Sequence, residues 1–433
     1  MKLFLFLFYE TAKILVWIVR WFYYARRDLV NSKLRDYKGP CILVSNHPGT
    51  LMDPLNVAVL MKRRVNFLAN ASLFATPFSH WFFSTFYCIK VERHKDTGGK
   101  PLQNEEAFEM AADYLTNGGC LYMAPEGGSH SGRQLNKLKT GTARIALNTE
   151  AANDFKLGLA ILPVGLNYSD PGQFRSKLLT VMGEPVMVAD FKEDWQEDQL
   201  EAVRKLTGFL RERMVATLIN TSDEEEDLLL SKVETIMQND VPLNGASLMD
   251  RSKRVLEKIQ NWRTDKTAFY QSFKDKTDAY FQKLTSLETL DLSVKGGQIP
   301  YILMIIGLPI FALGFIIHFL PAYFTQKLCD RLSTDPSWVP TFKVLGGLII
   351  YPMTLFLQFW LLTKSISFFW ETADWWKWVY MALIIPSGLV AEWFLAKYQL
   401  LLSNRRYRLF AENHPEEAAS VVQMREDIRK AVV

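Results

Sequence analysis

Between residues 38 and 188 the chain alternates short apolar runs with amphipathic stretches. Cys41–Val44, Arg64–Ala69, Phe86–Val91, Gly119–Ala124, Ala160–Leu166 and Leu178–Met182 read as strands, several of them continuous enough in apolar residues to be covered on both faces. Pro54–Lys62, Asn104–Thr116 and Thr142–Thr149 have the three- and four-residue spacing of helices. Strands that alternate with helices imply an α/β layer structure around a largely buried sheet. Functional side chains are then expected at strand ends.

The flanking regions follow other patterns. Leu3–Tyr24 is apolar and aromatic, with Glu10, Lys13 and Arg20 as its charges; at 100° per residue these fall within about 80° of one another, one narrow polar stripe on a helix. Such a helix lies in a membrane interface more readily than it spans a bilayer. Arg26 and Arg27 then sit among lipid headgroups on the cytoplasmic side. From residue 198 to 292 the pattern is helical; Val255, Ile259 and Trp262, then Phe269, Phe273, Tyr280, Phe281 and Leu284, predict a helical hairpin. Pro300–Leu320 and Leu345–Leu362 are nearly uncharged and long enough to cross a hydrocarbon core of about 30 Å. Val379–Lys397 is a third candidate, weakened by Glu392 and Pro386 and preceded by Trp370, Trp375, Trp376 and Trp378 as an interfacial belt. Arg405, Arg406 and Arg408 favour a cytoplasmic tail, which requires an even number of crossings after a cytoplasmic catalytic domain. The expected divisions are an interfacial helix at 1–37, an α/β domain at 38–197, a helical region at 198–298, two or three transmembrane helices at 299–400 and a basic tail at 401–433.

The composition narrows the function. An apolar fraction of 49%, concentrated towards the chain ends, indicates a membrane, and a net charge of only +4 without basic runs interleaved with aromatics argues against nucleic acid. Cys41, Cys88, Cys120 and Cys329 are too scattered for a zinc site or disulfide framework and read as reduced core thiols. No His-Glu-X-X-His pattern points to a metal, and Thr97–Pro101 lacks the glycine and hydroxyl residue of a P-loop.

Two stretches carry candidate chemistry. Ser45–Pro54, SNHPGTLMDP, places His47 and Asp53 just behind the strand Cys41–Val44. Residues six apart on one helix point about 120° away from each other, so the pair meets only if His47 lies in the loop and a helix begins near Pro48. Gly49 permits that approach. A carboxylate on one ring nitrogen fixes the tautomer and leaves the other nitrogen to take a proton from an alcohol. The second stretch, Met123–Leu147, bends through Glu126, Gly127 and Gly128 and carries His130, Arg133, Lys137, Lys139 and Arg144 before a helix. Glycines that let amides approach, with nearby basic side chains, suit an anion. Arg93 and His94 follow another strand end.

At these residues the chain resembles the glycerophospholipid acyltransferases, the PlsC-like family with an Asn-His-(four residues)-Asp motif and a Pro-Glu-Gly motif. Four blocks occur in the family's order: Asn46-His47 to Asp53, Val91-Glu92-Arg93, Ala124 to His130 and Ile161 to Tyr168. Five residues instead of four separate His47 from Asp53, and Gly-Ser-His follows Pro-Glu-Gly where many members have Thr-Arg-Ser. Both departures look like the fungal-type glycerol-3-phosphate/dihydroxyacetone-phosphate acyltransferases and their bacterial relatives, as do Leu138 to Gly141 and Phe174-Arg175-Ser176.

The resemblance implies an α/β fold: an acyltransferase domain with a mixed sheet flanked by helices, an N-terminal interfacial helix, a helical insert and C-terminal transmembrane helices. It implies His47 as general base, oriented by Asp53, with Arg93, Glu126, Gly127, Gly128, Lys139 and Arg175 around the substrate. Amides near Gly127 and Gly128 are the candidates for the oxyanion. The partners implied are an acyl thioester, acyl-CoA or acyl-carrier protein, as co-substrate, a phosphorylated glycerol and membrane lipids, with no further cofactor. The implied acceptor is glycerol 3-phosphate, with 1-acylglycerol 3-phosphate or dihydroxyacetone phosphate as alternatives. A non-catalytic lipid-binding protein on the same fold is the reading of a different class.

Overall fold

A computed structural model describes residues 2–92, 104–369 and 375–433. Among these residues, eight strands join in one sheet: β1 (Tyr24–Val30), β2 (Cys41–Ser45), β3 (Asn66–Asn70), β4 (Cys88–Val91), β5 (Cys120–Met123), β6 (Ala160–Tyr168), β7 (Ser176–Met182) and β8 (Val186–Met187). The order is β1-β7-β6-β2-β5-β3-β4, with β8 pairing β6. β2 runs parallel to both β5 and β6, and β7 and β8 run antiparallel to β6, so the sheet is mixed. The apolar runs of β2, β5 and β6 are buried along their whole length, the pattern of strands covered on both faces. Cys41 and Cys120 face each other across β2 and β5 as buried free thiols.

The helices of this layer are α1 (Lys2–Tyr23), α2 (Met52–Ala58), α3 (Pro77–Thr85), α4 (Glu105–Thr116), α5 (Gly141–Ala152), α6 (Lys192–Glu197) and α7 (Gln199–Ala216). Ala202, Leu206, Leu210 and Met214 of α7 join Ile42, Leu121, Leu147 and Ile161 in one core. At the end of α7 the carbonyl of Thr217 approaches Gly165 so closely that a Cβ there would lie 2.1 Å away, which excludes any side chain from this point of β6. Together with Thr334–Thr341, residues 1–221 form the first of two compact units.

Two elements differ from expectation. Tyr24–Val30 is a strand, not the tail of the N-terminal helix, because it pairs in parallel with β7 at the sheet edge; a sequence as polar as YARRDLV adopts extended structure where a partner is waiting. The two arginines expected among headgroups are engaged in the protein: Arg26 pairs with Asp28 at 2.9 Å, and Arg27 Nη1 donates to the carbonyls of Arg20, Trp21 and Tyr24, closing the C-terminal end of α1. The polar stripe of α1 is turned inward. Arg20 is buried, and Lys13 Nζ donates to Met61 O at 2.6 Å. Leu3, Leu7, Ile14, Trp17, Ile18 and Trp21 are left exposed, as are Phe78 and Trp81 of α3. Exposed apolar surface of this extent marks an interaction site.

The second unit comprises residues 222–333 and 342–433. Its polar helices are α8 (Glu224–Asp240), α9 (Gly245–Asp265), α10 (Thr267–Ser286) and α11 (Asp291–Lys295), and its apolar ones are α12 (Tyr301–Leu332), α13 (Val339–Phe369, whose first turn belongs to the other unit) and α14 (Trp375–Asn413). α15 (Pro415–Val432) follows α14 directly. α9 and α10 are the expected hairpin, with Val255, Ile259, Phe273, Tyr280 and Leu284 buried. α12 and α14 pack antiparallel: Phe311 stacks on Phe394 at 4.2 Å, and His318 Nε2 donates to Ile384 O at 2.8 Å. Three stretches, Tyr301–Leu332, Pro336–Ile366 and Trp375–Asn413, are long and apolar enough to cross a membrane. Trp370 of the expected belt lies outside the described residues.

α15 is fixed to the polar helices by Arg425. Its buried guanidinium reaches Asp291 at 2.8 and 3.1 Å and Asp240 at 2.7 Å, and Tyr280 donates to Asp291 at 2.6 Å. Deleting one partner of a buried pair leaves the other charge uncompensated, which typically costs about 3–5 kcal/mol. Arg425→Ala is therefore expected to lower the stability of the detergent-solubilised chain by about that amount in a chemical denaturation series; a change below about 1 kcal/mol would contradict this role.

Candidate active site

The sheet brings the motifs together. β2, β5 and β6 are parallel and in register, Val44 beside Met123 and Ser45 beside Val164. Their C-terminal ends therefore release three segments at one edge: Asn46 to Asp53 from β2, Ala124 to His130 from β5, and Asn167-Tyr168 at the end of β6. In parallel sheets this edge is where ligands bind. Asn46 ties two of the segments: its Oδ1 accepts from Leu166 N at 2.8 Å and its Nδ2 donates to Leu166 O at 2.9 Å.

His47 lies in the loop, as the spacing requires, but α2 begins at Met52 and not near Pro48. Pro48 to Leu51 form a turn first, which carries the chain far enough for Asp53, in the first turn of α2, to face back towards His47. Asp53 is fully buried. Its Oδ2 accepts from Gly49 N at 2.7 Å and meets His47 Nδ1 at 3.0 Å, while Oδ1 accepts from the Tyr168 hydroxyl at 2.7 Å. A carboxylate has no proton to give, so Nδ1 carries the hydrogen and the other ring nitrogen presents its lone pair. The His47 side chain is 19% exposed, leaving that nitrogen reachable. Burial, with the charge of Asp53 beside it, pushes the Tyr168 hydroxyl well above its ordinary pKa, so it remains a donor. Asn56 Nδ2 in turn donates to the hydroxyls of Tyr168 and Tyr24, each at 2.9 Å.

The turn is tightly held. A Cβ on Gly49 would lie 3.0 Å from Asp53 Oδ1 and 3.6 Å from Pro340. Thr50 has a φ of 44°, a left-handed conformation uncommon for a residue with a Cβ. Its hydroxyl donates to Ser337 O at 3.1 Å and bonds the hydroxyl of Thr341, whose Oγ1 also accepts from Leu51 N at 3.2 Å. Such strain persists where surrounding contacts over-determine it.

Glu126 braces the second loop against the first. Its two oxygens accept from the amides of His47 at 3.1 Å and Asn136 at 3.0 Å. Burial raises the pKa of its carboxyl, and these two amides act against the rise. Gly127 has a φ of 72°, and its amide donates to Ala124 O at 3.2 Å, which commits it to the turn and removes it as an oxyanion donor. Gly128 follows in the same bend. The Lys139 stem lies over Gly127, 3.3 Å from where a Cβ would be, and the residue is exposed. Arg175 stands before β7 at the same sheet edge but is bound to α1, its amide donating to Tyr23 O at 2.7 Å. Arg93 lies outside the described residues. Tyr168 and Asn56 escape sequence reasoning as relay members; the first lies in a motif block, but nothing in its neighbours indicates that its hydroxyl reaches Asp53.

Residues 25–167 match the family model described as Acyltransferase, and the chain thus carries an acyltransferase domain. It is 28% identical over 195 residues to glycerol-3-phosphate O-acyltransferase 2 of Saccharomyces cerevisiae, covering 45% of this chain and 26% of that protein. It is 25% identical over 165 residues to glycerol-3-phosphate O-acyltransferase 1 of the same yeast, covering 36% and 21%. The matched region thus spans about a quarter or less of the length of these curated relatives. A crystal structure of the 1-acyl-sn-glycerophosphate acyltransferase PlsC from Thermotoga maritima aligns with a TM-score of 0.30 at 20% identity, over 45% of this chain and 75% of that one.

Asp53→Asn offers an amide where three donors converge, so one of them loses its acceptor and the imidazole loses its fixed tautomer. The rate of any reaction that uses His47 as its base is expected to fall by about 10³-fold or more. Tyr168→Phe removes one donor to a charged group and should cost about tenfold in kcat with KM little changed. Steady-state kinetics of the two purified variants test both; kcat within about twofold of the parent for Asp53→Asn would exclude the relay.

Proposed function

We propose that the chain transfers a fatty acyl group from an acyl thioester, acyl-CoA or acyl-carrier protein, to the hydroxyl of glycerol 3-phosphate. The observation that carries this reading is the His47–Asp53–Tyr168 chain of hydrogen bonds, which ends at a reachable ring nitrogen on the carboxyl edge of the sheet.

In this reaction the second ring nitrogen of His47 takes the proton of the acceptor hydroxyl as its oxygen attacks the thioester carbonyl. The imidazolium that forms is stabilised by Asp53. As the tetrahedral adduct collapses, the carbon–sulfur bond breaks and the proton passes to the leaving thiolate, which restores the neutral base. No acyl-enzyme is needed. Lys139, held against the Glu126 loop, and Arg175 at the same edge serve the acceptor's phosphate together with Arg93; holding the phosphate positions the hydroxyl, an orientation effect worth several kcal/mol of barrier. The apolar surface of α1 and α3 keeps the domain at a lipid surface, where an acylated product partitions. The basic residues Arg405, Arg406 and Arg408 favour the cytoplasmic face.

Thiol release is the test. The purified chain, supplied with an acyl thioester, is expected to release thiol fastest with glycerol 3-phosphate, compared with dihydroxyacetone phosphate and 1-acylglycerol 3-phosphate. His47→Ala should reduce kcat by about 10²–10⁴-fold while the protein remains folded by circular dichroism. Thiol release with none of the acceptors, or full activity in His47→Ala, would overturn the proposal.

A further inference from the structure

The turn between His47 and Asp53 is gripped from outside by residues 335–341, which belong to the same compact unit. Asp335 shapes this segment. Its Oδ1 accepts from Ser337 N at 2.9 Å and its carbonyl from Trp338 N at 3.0 Å, so Pro336–Trp338 form a helical turn that runs on into Val339. Residues three and four apart on such a turn share a face, and Ser337, Pro340 and Thr341 meet the loop together. Pro340 lies 3.6 Å from where a Cβ on Gly49 would be. Ser337 O accepts from Thr50 Oγ1 at 3.1 Å, and Thr341 Oγ1 accepts from Leu51 N at 3.2 Å and bonds the Thr50 hydroxyl. Thr50, Ser337 and Thr341 are all buried.

The direction of these bonds follows from counting hydrogens, because a hydroxyl has one to give. Thr50 gives its hydrogen to the Ser337 carbonyl, so Thr341 is the donor in the Thr50–Thr341 pair and takes the Leu51 amide as an acceptor. A directed chain results, from the Leu51 amide through Thr341 and Thr50 to the Ser337 carbonyl, with backbone at both ends. Inside the turn, Thr50 O accepts from Asp53 N at 3.3 Å and Gly49 O accepts from Met52 N at 3.0 Å. The residue held in the left-handed conformation is therefore the one that receives the first turn of α2 and aims Asp53. A β-branched residue stays in that conformation only where its surroundings hold it. Released, Thr50 carries the start of α2, and Asp53 with it, away from the ring of His47.

We propose that Thr341 is a positioning residue of the candidate site: its hydroxyl, bound to Thr50 and Leu51, closes the turn that delivers Asp53 to His47. It acts through the turn; the carboxylate itself is bonded by His47, Gly49 and Tyr168. Serine at this position keeps both bonds, whereas valine, of the same shape as threonine, keeps neither. The effect on turnover rests on the acyl-transfer reading given above, and the effect on the turn does not.

Hydrogen exchange read by mass spectrometry follows the turn without requiring turnover. In the detergent-solubilised 433-residue chain, Thr341→Val is expected to speed deuterium uptake about tenfold or more in a peptide spanning residues 46–53, which holds the Gly49 and Leu51 amides. A peptide covering β5 is expected to exchange as in the parent, and Thr341→Ser to restore parental uptake at 46–53. Unchanged uptake at 46–53 in Thr341→Val, or equal acceleration in Thr341→Ser, overturns the proposal. In steady-state kinetics Thr341→Val is expected to lower kcat by about 10- to 100-fold with KM for glycerol 3-phosphate within about twofold, and Thr341→Ser to recover kcat to within about threefold. Faster uptake in Thr341→Val with kcat still within about twofold of the parent also overturns it, because the turn then does not set the geometry of the pair. A parent chain that releases thiol with none of the acceptors defeats the acyl-transfer reading alone, and the exchange result then decides this proposal by itself. Should Thr341→Val fail to elute as a single species, Thr341→Ala takes its place in both measurements with the same expected outcomes.

Discussion

The active edge of this sheet depends on the satisfaction of one buried carboxylate. Asp53 has no exposure to water, and a carboxylate removed from solvent is tolerated only when its oxygens are fully engaged. Its three donors come from three places: the ring that follows β2, an amide in the turn, and a hydroxyl at the end of β6. Satisfying it requires β2 and β6 to be neighbours in register, the turn to close, and α2 to start late. The geometry of the imidazole is thus a by-product of solvating an acid within protein.

Much of this is legible in the sequence because it depends on short-range periodicity. The runs that form β2, β5 and β6 are continuous in apolar residues, and their burial on both faces follows from that. His47 and Asp53 stand out because one helix cannot bring them together. The rest depends on distant partners. YARRDLV has no strand signature of its own and extends only because β7 lies beside it. Arg26 and Arg27 have the look of headgroup ligands, yet one is paired with Asp28 and the other folds back over the end of a helix. The grip of Thr341 on the Thr50 turn spans 291 positions and leaves no local trace. A glycine-rich bend suits an oxyanion by composition, but the amide of Gly127 is used by the turn itself.

The turn after His47 is held by a segment far from it in sequence. The segment that supports the turn after His47 is the same segment that joins α12 to α13, and the left-handed Thr50 is held by it.

The inward stripe of α1 makes this helix a wall of the domain. Lys13 occupies the carbonyl of Met61, and Tyr9 accepts the amide of Val65 at 3.0 Å. Phe8 stacks on Phe86 at 3.8 Å. Trimming this helix away in search of a water-soluble fragment would uncover orphaned backbone groups and bare aromatic surface at the margin of the sheet. Solubility is therefore better sought by redesigning the outward-facing Leu, Ile and Trp positions than by cutting the chain.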